Sequence, residues 1–192
     1  MPKKRQALLM DANVLIDYQK SDISVLGLVS RHVGEVHVLT TILEEVEGLD
    51  AADCERLGLK VIEPELAQVM QASGRKGQLS FRDHLCLVVA TAGGLVCITN
   101  DKALRAACSD AGVTTIWGLE IMVALVRGGA MEAADAISTA EKIHLSNPLH
   151  ILKKVVDRFS RIIIEAEKTR GSPKSPPRGF THPGSSCSPE GL

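Results

Sequence analysis

The sequence predicts an α/β protein: a central parallel β-sheet flanked by helices in three layers, with a helical extension at its C-terminal end. Short, apolar, strand-like runs alternate with helix-like segments from residue 7 to about 127, which is the pattern of βαβ units. The core must be aliphatic, because aromatic residues make up only 3% of the chain while apolar residues make up 45%. At 192 residues the chain can form one well-buried domain and an appendage, but not two full domains.

The elements follow in order. Ala7 to Met10 is the first strand, followed by helices from about Val14 to Gln19 and from Ser24 to His32. Val36 to Leu39 is the second strand and leads into a short helix at Ile42 to Glu47. Leu59 to Ile62 is the third strand, and Pro64 is placed as the first residue of a helix over Glu65 to Ala72. Ser73 to Gln78 reads as a flexible basic loop, in which Arg75 and Lys76 are either plain surface cations or a mobile clamp on the substrate side. Helix Phe81 to Ala92, strand Leu95 to Ile98, helix Lys102 to Ala111, strand Val113 to Ile116 and helix Leu119 to Val126 complete the alternation. These elements define a domain over residues 1–129.

Residues 130–169 form the helical extension. Met131 to His144 is one helix, and Asn147-Pro148 supplies a cap and a first-turn proline for a second, Leu149 to Glu167. Leu149, Leu152, Val156, Phe159, Ile163 and Ala166 step by three and four, a narrow apolar stripe suited either to a seam with a partner or a second copy or to folding back over the chain's own sheet. On the seam reading a homo-oligomer, most simply a dimer, is expected. Residues 170–192 turn rich in Pro, Gly and Ser and are expected to be a disordered tail.

Composition excludes little on its own. A net charge of -1 gives no global attraction to nucleic acid, so a polyanion would have to be held locally. The basic start runs into Asp11 too early for a signal-peptide core, and no apolar stretch is long enough for a membrane span. Five scattered cysteines without CxxC spacing fit a reducing cytoplasm, with Cys86 and Cys97 as small core hydrophobes.

Four acids carry the chemistry: Asp11 after the first strand, Glu45 beyond the second, Asp83 opening an apolar helix, and Asp101 after the fourth strand. The carboxyl ends of parallel strands share one edge, where ligands bind. Carboxylates gathered there repel one another unless a divalent cation sits between them. Each acid also has a local alternative. Asp11 can cap the following helix, although Asn13 serves equally well. Thr41 and Glu44 have capping-box spacing, which leaves Glu45 for the site. Ser80 and Asp83 form the same pattern, and Asp101, Asn100 or Thr99 can cap the helix from Lys102.

Four stretches, Leu8 to Ile16, Leu43 to Val46, Leu79 to Asp83 and Thr99 to Arg105, resemble the signature segments of PIN-domain nucleases, in that family's order and with compatible spacing. The resemblance covers residues 7 to about 127. It implies a PIN-like parallel sheet and a Mg2+ (or Mn2+) site on Asp11, Glu45, Asp83 and Asp101 that cleaves single-stranded RNA. With such a site Thr99 and Asn100 are expected to orient water or phosphate and Asn13 to meet the substrate, while Arg82, Lys102 and Arg105 either contact the RNA backbone or are solvated surface cations. Small prokaryotic members of the family include toxins paired with an antitoxin protein. The chain matches them in size and departs from them by its helices after residue 130.

Rival readings fit less well. A haloacid-dehalogenase type phosphatase needs a second Asp two residues after Asp11, where this chain has Asn13. A response-regulator receiver needs an added acidic pair at the first strand and a phosphoacceptor Asp at the third, where the chain reads Val61-Ile62-Glu63-Pro64. The stronger rival is a PIN fold that binds RNA or a protein with little or no turnover. His84 is expected to be structural or solvent-facing.

Overall fold

The computed structural model describes residues 5–74 and 79–170. The loop cations Arg75 and Lys76, Cys187 and the tail after residue 170 lie outside the described residues.

Five strands, β1 (Gln6–Met10), β2 (Gly34–Leu39), β3 (Lys60–Ile62), β4 (Val96–Ile98) and β5 (Thr115–Ile116), form one sheet in the order β3-β2-β1-β4-β5. Every neighbouring pair is parallel, with Leu8 opposite both Val36 and Val96. β1 is the middle strand. Its Leu8, Leu9 and Met10 are buried on both faces, as expected of a parallel strand covered by helices above and below. Gly34 opens β2 where any side chain would press on the Gln6 carbonyl oxygen.

From β1 the chain steps outward to β2 and β3, then returns to place β4 beside β1. The strand order therefore reverses between β1 and β4, and the crevice beyond their carboxyl ends is the position where open α/β sheets bind ligands. Two packed groups of helices cover the sheet. α1 (Ala12–Ser21), α2 (Ser24–His32), α4 (Ala51–Leu57), α8 (Glu120–Arg127), α9 (Ala133–Ser146) and α10 (Lys153–Lys168) form one group, with α3 (Thr40–Leu43) beside β2. α5 (Leu66–Ser73), α6 (Phe81–Gly93) and α7 (Lys102–Asp110) form the other. Among the described residues no helix is long and apolar enough to cross a membrane.

Several elements differ from the sequence reading. α4 was not expected. Asp50 and Asp53 cap it reciprocally and Gly58, at φ 74, ends it, but Cys54 is its sole buried residue, so it carries almost no apolar period. Pro64 lies one residue before the cap of α5, because Glu65 takes the cap position and its amide donates to Gln68.

The last helix begins at Lys153 rather than near Leu149. Asn147 closes α9 instead of opening α10, because its side-chain amide donates 2.9 Å to Asp17 on α1. Leu149 is left 86% exposed and Leu152 42% exposed. Val156, Phe159, Ile163 and Ala166 are buried, and α10 packs on α8 and α9. The stripe read as a seam for a second chain is therefore spent within the chain.

Candidate active site

Asp11 is the first residue past β1, and its backbone N–H donates to the Ile98 carbonyl at 3.0 Å, carrying the β1–β4 pairing one step further. It occupies the cap position of α1 in an extended conformation, yet its side chain makes no cap bond. The carboxylate instead accepts from the Thr99 hydroxyl at 2.8 Å. Thr99 follows β4 directly, is fully buried, and is itself pinned by two backbone bonds. Its N–H donates to Ile116, and its hydroxyl oxygen accepts from the Asp101 N–H at 3.0 Å. Because the hydroxyl oxygen is already accepting, its hydrogen is directed at Asp11, which favours Asp11 as an ionised acceptor.

Burial works against that ionisation. Asp11 is 2% exposed, and desolvation raises its pKa to about 6, with the Thr99 bond opposing and the negative charges of Asp83 and Asp101 adding to the rise.

Glu45 and Asp83 share a groove of about 380 Å3 with Asp11, lined also by Asn13, Ile16, Ser80 and Arg82. Glu45 lies in the turn after α3, where Arg82 from the first turn of α6 pairs with it at 2.6 Å and also donates to the Thr41 carbonyl at 3.1 Å. The expected Thr41–Glu44 capping box is not formed. α3 starts at Thr40, directly off the strand, which puts Thr41 inside the helix and Glu44 at its end. The Thr41 hydroxyl is buried with no hydrogen-bond partner among the described residues. Asp83 does form its capping box: Oδ2 accepts from the Ser80 N–H at 3.1 Å and from the Ser80 hydroxyl at 2.7 Å. Asp101 caps α7 by accepting from Leu104 N–H at 2.7 Å. It does not line the groove, but it is joined to Asp11 through Thr99.

The expected substrate contacts are placed unevenly. Asn13 is exposed and lines the groove. Lys102 is exposed at the start of α7. Thr99 is occupied in holding Asp11, and Arg82 in holding Glu45. Asn100 is engaged at both ends of its amide, donating 3.3 Å to Asp17 and accepting 2.9 Å from Gly118 N–H, so it orders the fold here rather than presenting itself to a ligand. Arg105 donates to the Thr99 carbonyl at 3.3 Å and lies over the Trp117 ring at 3.9 Å. His84 is buried.

Two residues went unread in the sequence. Asp17, 3% exposed on the inner face of α1, accepts from both Asn100 and Asn147. Burial raises its pKa, with the two asparagine bonds opposing. Its sequence signal was an acid within the buried face formed by Val14, Leu15 and Tyr18. Trp117, the one tryptophan of the chain, sits just past β5 on the same sheet edge.

Among the described residues, no three His, Cys, Asp or Glu side chains converge closely enough to hold a metal as they stand. The donor chemistry nevertheless suits a hard divalent cation. The groove offers carboxylate oxygens, and the strongest charges acting on buried Asp11 are two further acids. A cation there would offset both the burial and the repulsion.

No family model and no curated protein matches the chain. Among solved structures, the chain is similar to a PilT N-terminus domain protein from the hyperthermophilic archaeon Sulfolobus solfataricus P2, with 15% identity and a TM-score of 0.44, over 61% of this chain and 91% of that one.

Proposed function

We propose that the chain is a PIN-like, divalent-metal-dependent endoribonuclease that hydrolyses phosphodiester bonds of single-stranded RNA. The observation that carries this reading is the buried Asp11 carboxylate at the strand-order switch point, beside Asp83 and Asp101 and opening into the groove with Glu45. Asp11, Glu45 and Asp83 would hold a Mg2+ or Mn2+ in the groove, with Asp101 adding negative charge behind Thr99, and the ion would supply charge neutralisation for phosphodiester hydrolysis. Thr99 fixes the orientation of Asp11, the Ser80 cap fixes Asp83, and the Arg82 pair holds Glu45 at the groove wall. Asn13 and Lys102 are the exposed groups left to meet an incoming phosphate.

A second reading is a PIN-fold module that binds RNA or protein with weak turnover. It is favoured by the engagement of Glu45, Asp83 and Asp101 with protein partners. Cleavage of a labelled single-stranded RNA separates the two. The nuclease reading expects cleavage with Mg2+ or Mn2+, its loss in EDTA, and its loss in Asp101→Asn. Unchanged cleavage by that variant at saturating metal refutes the site, and retained binding without any cleavage selects the second reading. A toxin role belongs to the same proposal in its finer form. Purification from the native cells with a stoichiometric small protein partner supports it, and purification of the chain alone refutes it.

A further inference from the structure

Trp117 and Arg105 are the pair that the carboxylate chemistry leaves unexplained. The indole follows β5, at the edge that carries Asp11 and Thr99, and it remains 43% exposed in a chain with few aromatic residues. Its main chain is fixed on both sides. The Trp117 backbone N–H donates to the Glu120 carboxylate at 3.1 Å and the Trp117 backbone carbonyl accepts from the Glu120 N–H at 2.9 Å. The next residue, Gly118, is bonded on both sides, donating to Asn100 and accepting from the buried Tyr18 hydroxyl. Arg105 covers part of the ring with its guanidinium 3.9 Å from the centroid, a cation–π contact. The same guanidinium donates to the carbonyl of Thr99, whose hydroxyl holds Asp11. Arg105 is thus joined through one residue, Thr99, to the Asp11 carboxylate that lines the groove.

We propose that Trp117, backed by Arg105, is a stacking platform for an unpaired nucleobase of the strand whose phosphate enters the carboxylate groove. The proposal rests on the nuclease reading for the identity of the ligand. A half-exposed indole on an anchored main chain presents a π-face to which any base can stack, and the adjoining guanidinium adds positive charge beside the backbone. A base inside a duplex has no free face to offer, so the platform selects single strands. Stacking reads a π-face that every base has, so the platform gives little preference among bases.

The chain has one tryptophan, so its intrinsic fluorescence reports on this position directly. The experiment titrates the full chain, in EDTA, with an oligouridylate of about eight nucleotides and with a duplex RNA of the same length. Saturable quenching by the single strand and none by the duplex is expected. Anisotropy of the labelled oligonucleotide should show binding weakened by about 5- to 150-fold in Trp117→Ala and largely kept in Trp117→Phe. A flat fluorescence titration, equal quenching by the duplex, or equal affinity of Trp117→Ala overturns the platform. A flat titration with RNA beside quenching by a protein partner does so as well, and reassigns the indole to a protein interface. EDTA keeps the two readings apart: quenching in a protein that never cleaves with metal refutes the nuclease alone, and cleavage without quenching refutes the platform alone.

Discussion

Replacing Asp11 by asparagine should make the metal-free protein more stable at neutral pH while abolishing its response to divalent cations. Asparagine keeps the size of the side chain and an oxygen to accept from the Thr99 hydroxyl, so the main change is loss of a buried charge. The folded-state pKa of Asp11 is raised to about 6, from an ordinary value of 3.8. A carboxylate raised in the folded state contributes stability that is fully present below its unfolded pKa and is lost as pH rises through its folded pKa. The wild type should therefore lose stability between about pH 4 and pH 6, by about 3 kcal/mol at most for a displacement of roughly two pH units. The variant should not. In EDTA at about pH 7.5, Asp11→Asn should unfold up to roughly 6 to 12 °C above the wild type, given 2 to 4 °C per kcal/mol at this size. Added Mg2+ or Mn2+ should raise the wild-type Tm by binding only the native state and leave the variant unmoved. Thermal scans by circular dichroism across this pH range decide it. A variant less stable than wild type in EDTA, or a wild-type stability flat across that window, would refute the account of Asp11 as a buried, uncompensated acid.

Asp83 carries both a cap and a charge near Asp11. Asp83→Ala should lose about 1 kcal/mol at about pH 5, where Asp11 is largely neutral, and less at about pH 8, where removing a like charge offsets the lost cap; a loss independent of pH in urea denaturation would show that the two acids do not interact. Phe159 is buried where α10 meets α8 and α9, so Phe159→Asp should cost several kcal/mol and broaden or abolish cooperative unfolding. A variant that unfolds at the wild-type temperature but changes its size in light scattering would restore the reading of this stripe as a seam between chains.

What the sequence by itself determined was the sheet and the placement of its acids. Parallel strands buried on both faces are written as continuous apolar runs, so Ala7 to Met10 and Leu95 to Ile98 were legible, and Asp11 and Asp101 with them. The Ser80–Asp83 box was legible for a similar reason: its partners lie three residues apart, and the spacing is itself the geometry. The failures were pairings made across the fold. Thr41 and Glu44 had the right spacing, but the strand runs into helix two residues earlier than expected and dissolves the box. Asn147 was a good local cap until Asp17, far away on α1, took its amide and set where α10 begins. Glu45 was separated from Glu44 by helix geometry, but its Arg82 partner comes from another element. Trp117 and Arg105 gain meaning only when β5 and α7 lie side by side. Apolar periodicity and caps are set by neighbours along the chain, whereas a buried polar group is satisfied by whichever donor the packing brings within reach. The tertiary structure alone made that choice here, and it made it at Asp11, Glu45 and Asp17.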